Sequence, residues 1–339
     1  MANIKDVALH AGVSVTTVSH VVNGTRFVSE VARQRVEAAV RELGYVPSAV
    51  ARSLKHNTTR TFGMVIPNNS NPYFAEIIQG VEARCFAAGY NVILCNSNDD
   101  PERQAAYLRV LAEKRIDGLI FVVTGSDAVV RATLGGINTP LVLLDREVSG
   151  VSSDLVEVNH VLGSQMATEH LLELGHPRVA CISGPPGLSP SSQRRAGWKD
   201  ALEKAGVERK ESDLARGDFT ARGGYLAMQT LLKRRPRPTA VFACNDLMAV
   251  GALTAAREAG IAVPQQLSIV GFDDIELAAF SAPPLTTVAQ PKLEIGTLAA
   301  ELLLERVSAS RSESRRVILD PKIKVRGTTA AYQPTKENS

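Results

Sequence analysis

The stretch Ile4-Lys5-Asp6-Val7-Ala8-Leu9-His10-Ala11-Gly12-Val13-Ser14-Val15-Thr16-Thr17-Val18-Ser19-His20-Val21-Val22-Asn23 decides how the start of the chain folds. Ile4, Val7, Ala8 and Ala11 form one apolar stripe at helical spacing. Gly12 permits a turn, and Val13 packs back onto that stripe. Ser14 is a strong cap for a second helix over about Val15–Val22, because its hydroxyl accepts a first-turn N–H. Val18, Val21 and Val22 fall on the inner face of that helix, and Thr16, Thr17 and His20 on the outer one. Asn23-Gly24 ends it. Ser29 caps a third helix in which Val31, Val36, Ala39, Val40 and Leu43 recur, and Gly44 stops it.

Three short helices with a small core predict a helix-turn-helix head. Reading base edges in a major groove calls for short hydrogen-bonding side chains at a helix tip. Val15, Thr16, Thr17, His20 and Asn23 hold those places, and Arg26 follows as a phosphate or base-edge contact. A three-helix protein-interaction module is the competing reading. Residues 1–60 carry eight Lys/Arg against four Asp/Glu, so the net charge of +3 is concentrated in the head. A basic head on a near-neutral body suits a polyanionic partner. Over Pro47–Thr61, Ser48 is placed to cap a short hinge helix carrying Ala49, Ala51, Leu54 and Lys55, followed by a polar linker. Leu54 beside Lys55 would wedge a minor groove where two such segments meet, and the segment would fold on binding.

From Phe62 onward strands alternate with helices. Strands are predicted at 62–66, 91–95, 118–123, 140–144, 155–158, 178–182, 239–243 and 267–271, with a late pair beyond. Helices are predicted at 73–88, 101–115, 126–137, 160–174, 193–205, 220–234, 247–259 and 291–308. Such alternation predicts parallel sheets covered by helices. The cadence repeats, so an α/β body of two similar parallel-sheet subdomains is expected. The boundaries are 1–46 for the head, 47–60 for the hinge and linker, and 61–339 for the body. Within the body, 61–160 with 291–322 forms one half and 161–290 with 323–339 the other.

Ligands of open α/β sheets sit beyond the C-terminal ends of strands. The candidates there are Asn71, Tyr73, Phe74, Asp145, Arg146, Arg194, Phe219, Asn245, Asp273 and Gln290. Carboxylates and a guanidinium bracket vicinal hydroxyls with paired hydrogen bonds, and aromatic rings stack on the apolar face of a sugar. Blander roles compete for single residues: Asp145 as a loop cap, Asp273 as a helix-start anion, Tyr73 and Phe74 as core.

The 339 residues are 45% hydrophobic and 22% charged, with no apolar run long enough to span a membrane. Asp6 lies in an amphipathic N-terminal pattern, which argues against a signal peptide and for a cytoplasmic chain. Cys85, Cys95, Cys181 and Cys244 are widely spaced in apolar surroundings and read as buried free thiols. No phosphate-binding glycine motif or Gly-x-Ser-x-Gly elbow is present, so neither a catalytic residue nor a cofactor is expected. His170 and His176 lack ligand spacing and read as surface residues. His160, near a helix start, is left without a role. No metal site is expected.

Over nearly its whole length the chain resembles the lactose/galactose-type family of bacterial repressors, whose effector body is like type I periplasmic sugar-binding proteins. The resemblance rests on Lys5-Asp6-Val7-Ala8, Val18-Ser19-His20-Val21-Val22-Asn23, Pro47-Ser48-Ala49-Val50-Ala51-Arg52-Ser53-Leu54, Gly118-Leu119-Ile120, Pro238-Thr239-Ala240-Val241-Phe242, Asn245-Asp246 and Leu285-Thr286-Thr287-Val288-Ala289-Gln290-Pro291. Asn71-Pro72-Tyr73-Phe74 and Asp274-Ile275-Glu276-Leu277-Ala278 bring it nearest the ribose-type branch, with the purine branch next. The resemblance implies a homodimer on a palindromic operator, a recognition helix at 15–22, Leu54 as minor-groove wedge with Lys55 beside it, and the ten body residues named above around a sugar such as D-ribose. It leaves room for another pentose, a sugar phosphate or a purine co-repressor. Where purine-type relatives have Trp this chain has Arg146, and where ribose-type pockets offer an arginine it has Ser192. A transport receptor would share the body but not residues 1–60. The short polar tail from Tyr332 lacks the leucine heptads that join dimers into tetramers.

Overall fold

Val7, Ala8, Ala11, Val18, Val36 and Ala39 are all buried, and they form the core of the first of two units, which divide between Thr59 and Arg60. The computed structural model describes residues 2–46, 58–135, 137–208, 210–309 and 311–334. The first unit holds α1 (Ile4–Ala11), α2 (Val15–Asn23) and α3 (Glu30–Glu42). Asn3 caps α1: its side chain accepts from Lys5 N at 2.8 Å, while Asp6 accepts from Asn3 N at 2.9 Å. Gly12 and Gly24 close α1 and α2 at φ 63° and 61°, a left-handed conformation that glycine adopts without penalty.

Val31 departs from the expected stripe and is 62% exposed. It stands five residues ahead of Val36, roughly 140° around the helix at 3.6 residues per turn, so it faces away from the buried side. Ser48, Leu54 and Lys55 lie outside the described residues.

The second unit contains two six-stranded sheets. The first is ordered β11-β5-β4-β3-β1-β2. Its strands are β1 (Thr61–Ile66), β2 (Asn91–Asn96), β3 (Gly118–Val122), β4 (Leu141–Leu144), β5 (Asp154–Val158) and β11 (Arg316–Leu319). The second is ordered β12-β10-β9-β8-β6-β7. It comprises β6 (Val179–Ser183), β7 (Leu214–Arg216), β8 (Ala240–Ala243), β9 (Ser268–Asp273), β10 (Thr286–Ala289) and β12 (Lys322–Lys324). Neighbouring strands run parallel except β10 and β12.

Helices follow the strands: α4 (Tyr73–Ala87), α5 (Pro101–Glu113), α6 (Asp127–Leu134), α7 (His160–Glu173), α8 (Ser189–Lys204), α9 (Ala221–Leu232), α10 (Asp246–Glu258), α11 (Glu276–Phe280) and α12 (Lys292–Val307). The central strands β3, β4, β5 and β6 are buried throughout, which explains their unbroken apolar runs. The chain passes between the sheets at residues 158–160, 289–292 and 319–322.

Several elements differ from expectation. The strands β7 and β10 and the short helix α11 are additional. α8 starts at Ser189 rather than 193, with Pro190 in its first turn, where a missing N–H costs nothing. His176 is buried: its Nε2 contacts Ser268 Oγ at 2.9 Å and Ala330 O at 3.1 Å. His170 Nε2 meets Thr329 Oγ1 at 3.0 Å. Neither histidine is a free surface residue, because the segment 328–332 returns to pair with β9 and the end of α7. All four cysteines are buried free thiols. No helix among the described residues is long and apolar enough to cross a membrane.

Two packing features fix the first half. α4 and α12 cross backbone to backbone: a Cβ on Gly80 would fall 2.3 Å from Leu293 O, and one on Gly296 2.1 Å from Ile77 O. Asp154, fully buried at the start of β5, accepts from Arg311 Nη1 and Nη2 at 2.8 and 2.6 Å, Arg306 Nε at 3.2 Å and Arg315 N at 2.7 Å. That cluster ties the turn after α12 to the sheet.

Candidate effector and nucleic-acid sites

Parallel strands bring their C-terminal loops to one end of each sheet, and here both ends line a cavity of about 570 Å³. Asp145 follows β4, Asn71 and Tyr73 follow β1, Asn245 follows β8, Phe219 lies just past β7, and Asp273 ends β9. These, with Phe74 and Arg194, line the cavity. Three of them are non-glycine residues at positive φ: Asp145 (76°), Phe219 (66°) and Asp273 (117°). Such backbone costs of order 1–3 kcal/mol each and is held by its surroundings.

Those surroundings are specific. Asn245 caps α10 by accepting from Met248 N at 2.9 Å, and its Nδ2 donates to Phe219 O at 3.0 Å. Both ends of its amide are therefore engaged, one at the start of α10 and the other on the Phe219 carbonyl. The Phe219 ring lies on Gly184, where a Cβ would come within 2.2 Å of it. Arg194 is buried, with its guanidinium 3.9 Å from the centre of the Phe272 ring. It donates to Cys244 O, pairs with Asp273 Oδ1 at 3.2 Å, and reaches His160 Nδ1 at 3.4 Å.

An arginine only donates, so His160 Nδ1 accepts and its proton rests on Nε2. Burial and the neighbouring Arg194 charge hold His160 well below the usual imidazole range, hence neutral. Asp273 Oδ1 also accepts from Gln290 Nε2 at 2.7 Å, and Gln290 Oε1 accepts from the Tyr73 hydroxyl at 3.2 Å. Burial, reinforced by Asp145 and Asp273, pushes the Tyr73 phenol well up, so it remains a donor. Burial raises Asp145 to about 6, with Arg194 opposing and Asp273 and Glu157 adding to the rise. Among the described residues no side-chain hydrogen bond engages the Asp145 carboxylate, which leaves its oxygens as acceptors facing the cavity.

Two of the ten expected residues do not line the cavity. Gln290 stands behind it, positioning Tyr73 and Asp273. Arg146 turns aside: its Nη1 pairs with Asp127, and its Nη2 donates to Gly125 O at 2.6 Å. Sequence reasoning missed the roles of His160 and Phe272 as supports for Arg194. It also missed Gln104, buried at the cavity wall, which accepts from Thr124 Oγ1 at 3.3 Å. Phe272 was legible only as the neighbour of Asp273, and Gln104 carried no signal beyond a polar residue in a helix. Among the described residues no group of three or more His, Cys, Asp or Glu side chains is arranged to hold a metal.

In the first unit, α2 exposes its tip. Ser14 Oγ accepts from Thr17 N at 3.1 Å and meets Thr17 Oγ1 at 2.9 Å. His20 Nδ1 contacts Thr25 Oγ1 at 2.8 Å, and Asn23 Nδ2 donates to Ser19 O at 2.8 Å. Val15, Thr16, Asn23 and Arg26 are exposed. The helix thus presents Val15 and Thr16 outward, while Thr17 and His20 are partly engaged in their own turns.

Residues 3–48 match bacterial regulatory proteins of the lacI family, and residues 168–329 match the periplasmic binding protein-like domain. The chain is 44% identical over 329 residues to the ribose operon repressor of Escherichia coli K12, covering 97% of this chain and 100% of that one. It superposes on the lac repressor dimer bound to operator and the anti-inducer ONPF with a TM-score of 0.88 and 30% identity, over 97% of this chain and 99% of that one. A lacI-family regulator from Enterococcus faecium with bound ribose gives a TM-score of 0.73 and 30% identity, over 80% and 100% of the two chains. With a three-helix head, a two-sheet body and these matches along its length, the chain belongs to the lacI family of bacterial transcriptional repressors and is a regulator rather than an enzyme.

Proposed function

We propose that this repressor answers a small neutral sugar such as D-ribose, taken into the cleft between the two sheets and lowering its affinity for operator DNA. The observation that carries the reading is the juxtaposition, in one cavity, of Asp145, Asp273, Arg194 and the aromatic rings of Phe74 and Phe219. Acceptors and a donor suit vicinal hydroxyls, and the rings suit the apolar face of a sugar. Asp145, Asp273, Asp99 and Asp218 line the cavity alongside Arg194, which is already paired with Asp273. That excess of negative charge disfavours a phosphorylated ligand. The ribose bound in the Enterococcus faecium relative supports the same choice.

In this reading residues 1–46 bind DNA, 47–60 connect, and 61–339 bind effector and pair two chains on a palindromic operator in the cytoplasm. Val15 and Thr16 meet base edges, with Thr17, His20, Asn23 and Arg26 around them. Release requires that the sugar bind one closure of the cleft more tightly than the other, since equal affinity shifts nothing. The test is a titration of operator binding by fluorescence anisotropy against D-ribose. Loss of binding is expected at saturating sugar. Operator affinity unchanged up to high millimolar ribose refutes ribose as inducer, and tighter binding reverses the sign.

A further inference from the structure

Lys292 is buried, with only 4% of its surface exposed, and sugar recognition gives it no role. It is the first residue of α12, immediately after the crossover from β10. α12 belongs to the first half, through the backbone crossing of Gly80 and Gly296 with α4. Yet the Lys292 ammonium reaches into the second half. Nζ donates to Asp273 O at 2.8 Å and to Asp274 O, and it pairs at 3.1 Å with Glu76 Oε1 on α4.

The turn it grips is unusual. Asp273 and Asp274 are consecutive non-glycine residues at φ 117° and 55°. From the second half, Lys324 Nζ and Arg326 Nη2 hold the Asp274 carboxylate, each at 2.6 Å. The turn is therefore held by its side chain from one half and by its carbonyls from the other. Its other product is the Asp273 carboxylate, set against Arg194 and Gln290 in the cavity.

We infer that Lys292 is a positioning residue that couples cleft closure to the effector site: with Glu76 it straps the first half to the Asp273–Asp274 turn. This rests on the sugar-responsive function proposed above. A burial cost accompanies any charged group taken out of water, and it is offset only by complete pairing. All three protons of the ammonium have an acceptor here, two in one half and one in the other. Rotation of the halves cannot keep all three without moving the turn. The strap thus gives the two closures different energies and ties that difference to the Asp273 carboxylate, which is what coupling between sites requires.

The test uses the full-length chain and two readouts: ribose affinity by calorimetry, and the ratio of operator dissociation constants with and without saturating ribose. Glu76→Gln removes, from a half-exposed side chain, the carboxylate that holds the ammonium on the first-half side, and leaves the grip on the turn. It is expected to keep ribose affinity within about twofold while shrinking the operator ratio about tenfold. Lys292→Met removes the grip and is expected to weaken ribose at least tenfold, with Lys292→Arg restoring part of it. A merely structural lysine would lower melting temperature in these variants without changing the ratio. An unchanged ratio in Glu76→Gln overturns the strap, even where Lys292→Met does not fold. A ratio of one in the unsubstituted protein instead overturns the sugar-responsive function itself.

Discussion

The Tyr73 hydroxyl donates to Gln290 Oε1 at 3.2 Å although 217 residues separate them, and the same amide donates to Asp273. One residue of a crossover segment thereby aligns a phenol from the first half with a carboxylate from the second. Tyr73→Phe keeps the ring but leaves Gln290 Oε1 buried without its donor, at a cost of about 1–3 kcal/mol. The expected result is a lower melting temperature together with weaker ribose binding, read by thermal denaturation and calorimetry on the same preparation. Ribose affinity equal to that of the unsubstituted protein would remove Tyr73–Gln290 from the site.

Asp145 gives the cleft a pH dependence whose sign is fixed by its shift from 3.8 to about 6. A carboxyl raised in the folded state contributes stability that is full below pH 3.8 and is lost as pH rises through 6. Ribose binding is expected to run the other way, because the ionised carboxylate offers the cavity only acceptors, whereas protonation turns one of its two oxygens into a donor. Affinity is expected to fall as pH drops from 7 to 5 and to become flat over that range in Asp145→Asn. A flat profile in the unsubstituted protein would place the sugar away from Asp145.

The Asp154 cluster predicts a stability effect separate from ligand. Burial would raise this carboxyl, but Arg311, the Arg315 N–H and Arg306 together hold it below its ordinary value. It therefore contributes stability above pH 3.8 that is lost as pH falls through its lowered folded value. Asp154→Ala removes the buried acceptor shared by Arg311, Arg306 and the Arg315 N–H, leaves Arg311 only Glu305 as carboxylate partner, and should cost about 1–3 kcal/mol. Denaturant unfolding measures this. A change under 1 kcal/mol would show that the arginines find other partners.

Thr16 stands exposed at the tip of α2, and no described side chain takes its hydroxyl. Thr16→Ala is expected to cost about 1–3 kcal/mol of discrimination at one operator position, while ribose affinity and non-specific DNA binding stay unchanged. Binding to a panel of single-position operator variants checks it, at one fixed salt concentration because phosphate contacts respond to salt.

Much of this architecture was legible in the sequence because helices and buried parallel strands announce themselves by period and by apolar runs. Val7, Val18 and Val36 fall where spacing puts them, and the eight predicted body strands and eight predicted helices all exist. What escaped was short or depended on distant chain. Leu214-Ala215-Arg216 is too brief to show alternation, and it is a strand only because β6 pairs with it. His176 looked like a polar residue after a helix, and it is buried by a segment more than 150 residues later. At the cleft, the strand-end rule found Asp145, Phe219 and Asp273 because connectivity alone places them. It could not separate Gln290, which stands behind the cavity and positions Tyr73 and Asp273, from residues that line it. Nor could it separate Arg146, which turns to Asp127, from Arg194, which Phe272 and Cys244 O hold inward.

At the centre of the proposed function, one cleft, sensed through Asp273, controls a separate DNA-binding head. The sharpest check compares operator affinity with and without saturating D-ribose in the unsubstituted protein and in Asp273→Ala. Equal affinity of the two proteins for operator without sugar is expected, with release by ribose in the first and no response in the second. A normal ribose response in Asp273→Ala, or no response in either protein, would contradict it.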